Sequence, residues 1–127
     1  MKELCTALLL IPLCGIASAD WVKLNDNDRA TIYVDSGTRR SGNLVKVWEM
    51  RVFKKPQTSG GREVFLTRKM QTEYDCIDDR MRIFYISLHA GQMGSGNVVA
   101  QSPASERWTP NPPDSEAKQI QMAVCAK

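Results

Sequence analysis

A search for chemistry begins at His89, the only histidine of the chain, because a hydrolytic serine needs a base to take its proton. No H-E-x-x-H pattern surrounds it, and no strained G-x-S-x-G turn offers a nucleophile. Ser115-Glu116-Ala117-Lys118 has the S-x-x-K spacing of serine acyl-transfer enzymes, but the K-T-G element that works with it is missing. Gly91, Gly94 and Gly96 are wrongly spaced for a phosphate loop and follow no β–α unit. Paired carboxylates would suffice for glycoside hydrolysis. Asp35 and Asp75 each close an apolar segment, and Asp78-Asp79 are adjacent. At a strand end, however, aspartate ordinarily accepts backbone amide hydrogens and forms the turn. No catalytic site assembles and no cofactor motif is present, so the chain reads as non-enzymatic.

The cysteines speak of compartment rather than catalysis. Residues 1–19 have the three parts of a secretory signal: Met1-Lys2, an apolar run from Leu8 to Ile16, and the small residues Ala17-Ser18-Ala19. The run is shorter than the ~20 residues a spanning helix needs, and no later segment approaches that length. A lipoprotein signal with Cys14 as acceptor is the rival, but Leu13 stands where a small residue is wanted. Cleavage after Ala19 discards Cys5 and Cys14 and leaves Cys76 and Cys125. In an oxidising compartment that even pair reads as a disulfide, which leaves no thiolates for zinc. Residues 20–127 then form one small domain, for which a single bridge matters.

Charge is unevenly spread. Net charge is +3, but residues 39–82 hold 11 Lys and Arg against 6 Asp and Glu. Lys54, Lys55, Arg62, Arg80 and Arg82 are the candidate binding residues of this basic middle, facing a protein or polyanion. Many of the basic residues flank turns, where solvated charge is ordinary. Along the sequence the aromatics do not interleave with the basic residues as a nucleic-acid stacking platform would, so no nucleic-acid partner is expected.

These residues are positioned by strands. Trp21–Leu24, Ala30–Asp35, Val45–Phe53, Arg62–Cys76, Met81–Leu88 and Asn97–Ala100 read as six antiparallel strands parted by turn chemistry. Lys54 to Gly61 reads as a plain breaker and the most mobile part of the domain. In the fourth strand, period-two alternation places Val64, Leu66, Met70, Thr72, Tyr74 and Cys76 on one face. In the fifth, Ile83 and Tyr85 fall on one face and Phe84, Ile86 and Leu88 on the other, a second apolar surface for pairing with another copy or an enzyme. After a linker from Ser102 to Pro113 comes one helix, capped by Asp114 or Ser115, with an Ala117, Ile120, Val124 stripe fit to lie on a sheet. Sequence order therefore gives an α+β fold.

The succession Ile32-Tyr33-Val34-Asp35, Gly42-Asn43 into Val45-Lys46-Val47-Trp48, Glu73-Tyr74-Asp75-Cys76, Met93-Gly94-Ser95-Gly96, Trp108 among prolines and a helix ending Val124-Cys125 resembles the surface-adhesin protein E family of Gram-negative bacteria. The resemblance spans residues 20–127. It implies a curved antiparallel sheet of about six strands with the C-terminal helix tethered by the disulfide. It also implies a non-enzymatic role at the outer surface or in the periplasm, binding a protein ligand, with homodimers known in the family. The segment from Arg62 to Arg82 would serve as the adhesive face. No family motif carries binding residues over one by one.

Overall fold

The computed structural model describes residues 20–126, so the expected signal segment, residues 1–19, lies outside the described residues. Among them, eight strands form one antiparallel sheet: β1 (Trp21–Asp26), β2 (Ala30–Asp35), β3 (Arg39–Ser41), β4 (Leu44–Ser59), β5 (Glu63–Asp75), β6 (Arg80–His89), β7 (Val98–Pro103) and β8 (Thr109–Pro110). The order is β1-β2-β4-β5-β6-β7, with β3 beside β4 and β8 beside β6. Among the described residues, one α-helix, α1 (Glu116–Cys125), follows. Six strands were expected; the two additions are three and two residues long, too short to show a period in sequence.

The breaker from Lys54 to Gly61 is a larger correction. β4 continues through it to Ser59, and the turn is Gly60, Gly61 and Arg62, the two glycines with φ of 60° and 78°. Pairing shifts from Val52↔Thr67 to Gln57↔Phe65, so Phe53 to Pro56 bulge out opposite Leu66 alone. Proline has no N–H to give to a ladder, and the bulge is where none is needed. The same irregularity upsets the alternation of β5. Val64 is 52% exposed, whereas Phe65 is buried against Phe53 with ring centroids 5.7 Å apart. Thr67 is buried too, because a 3-10 turn at Gln92–Gly94 folds onto it. Thr67 Oγ1 donates to the Gly91 carbonyl at 2.7 Å and accepts from the Gly94 N–H at 3.1 Å. Gly94, at φ 74°, leaves room for the Lys69 side chain, which any Cβ there would strike.

The core lies between one face of the sheet and α1. Ile32, Val34, Val45, Val47 and Tyr74 pack against Ile120 and Val124, with Leu24, Met81 and both cysteines at the margin. Ser115 caps the helix, its Oγ accepting the Lys118 N–H at 3.1 Å. Three further ties hold α1 down. Glu116 in the first turn pairs with Arg51 of β4. Asp79 accepts from Lys118 Nζ at 2.5 Å and Gln121 Nε2 at 2.7 Å. At the far end Cys76 and Cys125 form the disulfide, Cα atoms 5.8 Å apart, and Arg40 donates to the Cys125 carbonyl at 3.4 Å. The chain therefore clasps its helix at the start, along the side and at the end.

Candidate functional site

The helix covers one face of the sheet; the functional candidates lie on the other. Opposed residues of an antiparallel ladder share a face, so pairing places Trp48 with Gln71 and Tyr85, Lys46 with Glu73 and Arg82, and Lys69 with Ser87 on the side away from α1. Between Gln71↔Tyr85 and Thr72↔Ile83 the register slips by one residue, and Phe84 is the extra one. The slip brings Phe84 onto the uncovered face beside Tyr85 and turns Ile83 to the side of Ile86 and Leu88. Phe84, Ile86 and Leu88 therefore do not make the single apolar surface that strict alternation gives. The bulge divides them.

Cations and rings alternate across the uncovered face. Lys46 Nζ stands 4.2 Å from the Phe84 ring centroid, and the Arg82 guanidinium 5.1 Å. Trp108, brought over by the proline-rich linker and β8, lies 4.5 Å from Arg82 and 4.4 Å from Arg80. The result is a row of Lys46, Phe84, Arg82, Trp108 and Arg80, each neighbour a cation–ring contact. Sequence order hid this interleaving, because Trp108 is remote from its arginines along the chain. Carboxylates hold the cations in place: Glu73 accepts from Arg82 Nε at 2.9 Å and Nη2 at 2.6 Å, and Asp75 accepts from Arg80 Nε at 3.1 Å. Asp75 also takes the amide hydrogens of Asp78 and Ile77. The Asp78 N–H is the chief reason its carboxyl sits below the usual range, with Ile77 and Arg80 adding and partial burial opposing. Asp35 accepts the Gly37 N–H at 2.8 Å. Both aspartates are turn formers, as their positions at strand ends indicated.

Beside this row lies a groove of about 350 Å³ lined by Trp21, Asp35, Trp48, Lys69, Tyr85, Ser87, His89, Val98 and Gln101. Trp48 and Tyr85 meet edge to face, centroids 6.1 Å apart. Ser87 Oγ and His89 Nε2 are 2.9 Å apart, on the one face where their two-residue spacing along the strand places them. Burial chiefly, with help from Lys69, lowers the His89 pKa, so the ring is neutral at pH 7. Among the described residues no carboxylate hydrogen-bonds His89 and both members of the pair are buried, so the geometry of a nucleophile triad is missing. No group of three or more His, Cys, Asp or Glu is placed there to hold a metal ion.

The five basic candidates are not one patch. Arg80 and Arg82 stand together in the cation–ring row. Lys54 is in the β4 bulge and pairs with Asp26 at 2.8 Å, roughly 30 Å along the strand direction from the level of Arg80. Lys55 follows it, exposed, and Arg62 belongs to the turn beyond. Sequence reasoning also missed a polar cluster under the start of α1. Glu49 is 5% exposed and accepts the Tyr74 hydroxyl, while Arg51 and Arg68 supply positive charge nearby. Burial pushes the Glu49 carboxyl up and the Tyr74 phenol well up. A glutamate alternating with Val45 and Val47 was the one available signal.

The family model of surface-adhesin protein E matches residues 21–126. The chain belongs to that family. Its match takes in both cysteines, the cation–ring row and the aromatic groove. Among solved structures, Haemophilus influenzae protein E is similar, with a TM-score of 0.65 over 84% of this chain and 83% of that one. Identity is 13%, so the likeness is one of fold. No curated protein sequence matches the chain. Among the described residues of this adhesin-family chain, no helix is long and apolar enough to cross a membrane.

Proposed function

We propose that the chain is an exported, non-enzymatic binding module whose uncovered sheet face takes a protein ligand. Residues 1–19 deliver it to the periplasm or outer surface of a Gram-negative envelope, and the domain is residues 20–127. The observation that carries the reading is the row of Lys46, Phe84, Arg82, Trp108 and Arg80, left uncovered by the one helix. Tryptophan, tyrosine and arginine are the side chains that concentrate binding energy at protein interfaces. Glu73 and Asp75 offset the two arginines, which favours a protein over a polyanion. Family membership, under the name surface adhesin, points the same way.

Two measurements test this. Mature protein passed over immobilised basement-membrane extract should be retained, and Trp108→Ala or Lys46→Ala should cut retention about tenfold. Retention on heparin that exceeds retention on the extract, and that salt abolishes, would favour a polyanion and sink the protein reading. Fractionation with protease treatment of intact cells separates a surface from a periplasmic location. An adhesin has to be outside.

A further inference from the structure

We infer that the groove between Trp21, Trp48 and Tyr85 is a carbohydrate site that takes an uncharged hexopyranose. It lies on the uncovered face but shares no ring or cation with the Trp108 row. Trp48 and Tyr85 stand at 73° to one another and make an aromatic corner, and Trp21 from β1 adds another apolar wall. Asp35, Lys69 and Gln101 bring an acceptor, a donor and an amide to the same groove. A pyranose has the matching two-part surface. Its axial C–H groups make an apolar face that packs on a ring, and its hydroxyls point outward to hydrogen-bond with carboxylate, ammonium and amide.

Charge separates this ligand from its rivals. Asp35 and Lys69 bear opposite single charges and His89 is neutral, so the groove has no net charge to attract an ion. A quaternary ammonium would be repelled by Lys69, whose Nζ stands 5.6 Å from the Trp21 centroid. An anion would gain Lys69 and meet Asp35. A neutral polyhydroxyl ligand uses both, accepting from one and donating to the other. Gln101 is oriented for this: its Oε1 accepts the Tyr85 hydroxyl at 2.6 Å, which leaves the amide hydrogens to donate.

The test is a titration of the mature chain with methyl hexopyranosides and N-acetylhexosaminides, read by amide and indole N–H chemical shifts. Saturable shifts are expected at the Trp21 and Trp48 indoles, unaffected by salt, while the Trp108 indole stays still. Trp48→Ala should weaken binding at least about tenfold. Gln101→Ala, an exposed position that does not endanger folding, should weaken it less. No saturable shift with any sugar, shifts that survive both substitutions, or shifts given instead by choline or sulfate would overturn the assignment. Protein binding and sugar binding fail separately: Trp108→Ala should spare the sugar, and Trp48→Ala reports on the groove.

Discussion

On β4, Val45 and Val47 point beneath the helix and are 1% and 2% exposed, whereas Trp48 points the other way and keeps 37% of its surface in water. The two faces of one sheet are thus made of alternate residues of the same strands. The helix side joins apolar packing, a disulfide and a buried carboxylate–phenol pair into one unit. The uncovered side holds rings and cations whose contacts are partial and solvated. The first face joins its burial to the helix and the disulfide; the second also buries Met50 and Thr67 but leaves its row and groove open to change partners. That division predicts that substitutions on the two faces should move different observables.

The strongest way to break the comparison is to cut into the helix side. Tyr74→Ala removes a fully buried ring and should cost about 3–5 kcal/mol in urea denaturation, where Trp48→Ala should cost under about 1 kcal/mol. Equal losses would show that the uncovered face also bears the fold. Replacing both cysteines with serine should cost about 4 kcal/mol by chain entropy, given their sequence separation of 49. Amide exchange in α1 should rise before exchange in β4 and β5; unchanged helix protection would refute the clasp. Tyr74→Phe keeps the ring but leaves Glu49 with no phenol donor, at about 1–3 kcal/mol. Ser115→Ala, which removes the cap and the hydroxyl's bond to the Pro112 carbonyl, should cost about 1 kcal/mol.

A pH profile sharpens the same contrast. Folding raises the Glu49 carboxyl, chiefly through burial, so the folded chain holds a proton there that the unfolded chain has released. Stability from this site therefore falls as pH rises from the ordinary glutamate value of about 4.3 through the folded value. Asp75 and Asp79 run the other way. Backbone amides lower the first, and Lys118 followed by Gln121 lowers the second. Their contribution is complete above the ordinary aspartate value of about 3.9 and is lost as pH falls through their folded values. Glu49→Gln should flatten the profile above pH 4.3 and leave the acid limb alone, which denaturation across pH would measure.

Much of the helix side was legible along the chain. Glu73-Tyr74-Asp75-Cys76 shows why: Tyr74 and Cys76 share a period-two face with the core, and Asp75 at a strand end forms its turn. Ile120 and Val124 sit where a helical stripe puts them, and Met122 opposite is 63% exposed. Alternation and capping are local, so a single sequence carries them. Elimination alone paired Cys76 with Cys125, and the structure joins them. Gln121 escaped notice, buried against Asn111 and Asp79, because a polar residue on a helix gives no sign of a polar partner beneath it.

The uncovered face was decided only in three dimensions. A one-residue slip between β5 and β6 sends Phe84 to join Tyr85, and a bulge depends on the partner strand as much as on its own residues. Trp108 reaches Arg80 and Arg82 because β8 pairs with β6, a contact two residues long. The groove gathers side chains from β1, β2, β4, β5, β6 and β7. Residue types and their local period settled what could be buried. Register across strands settled which rings and charges meet.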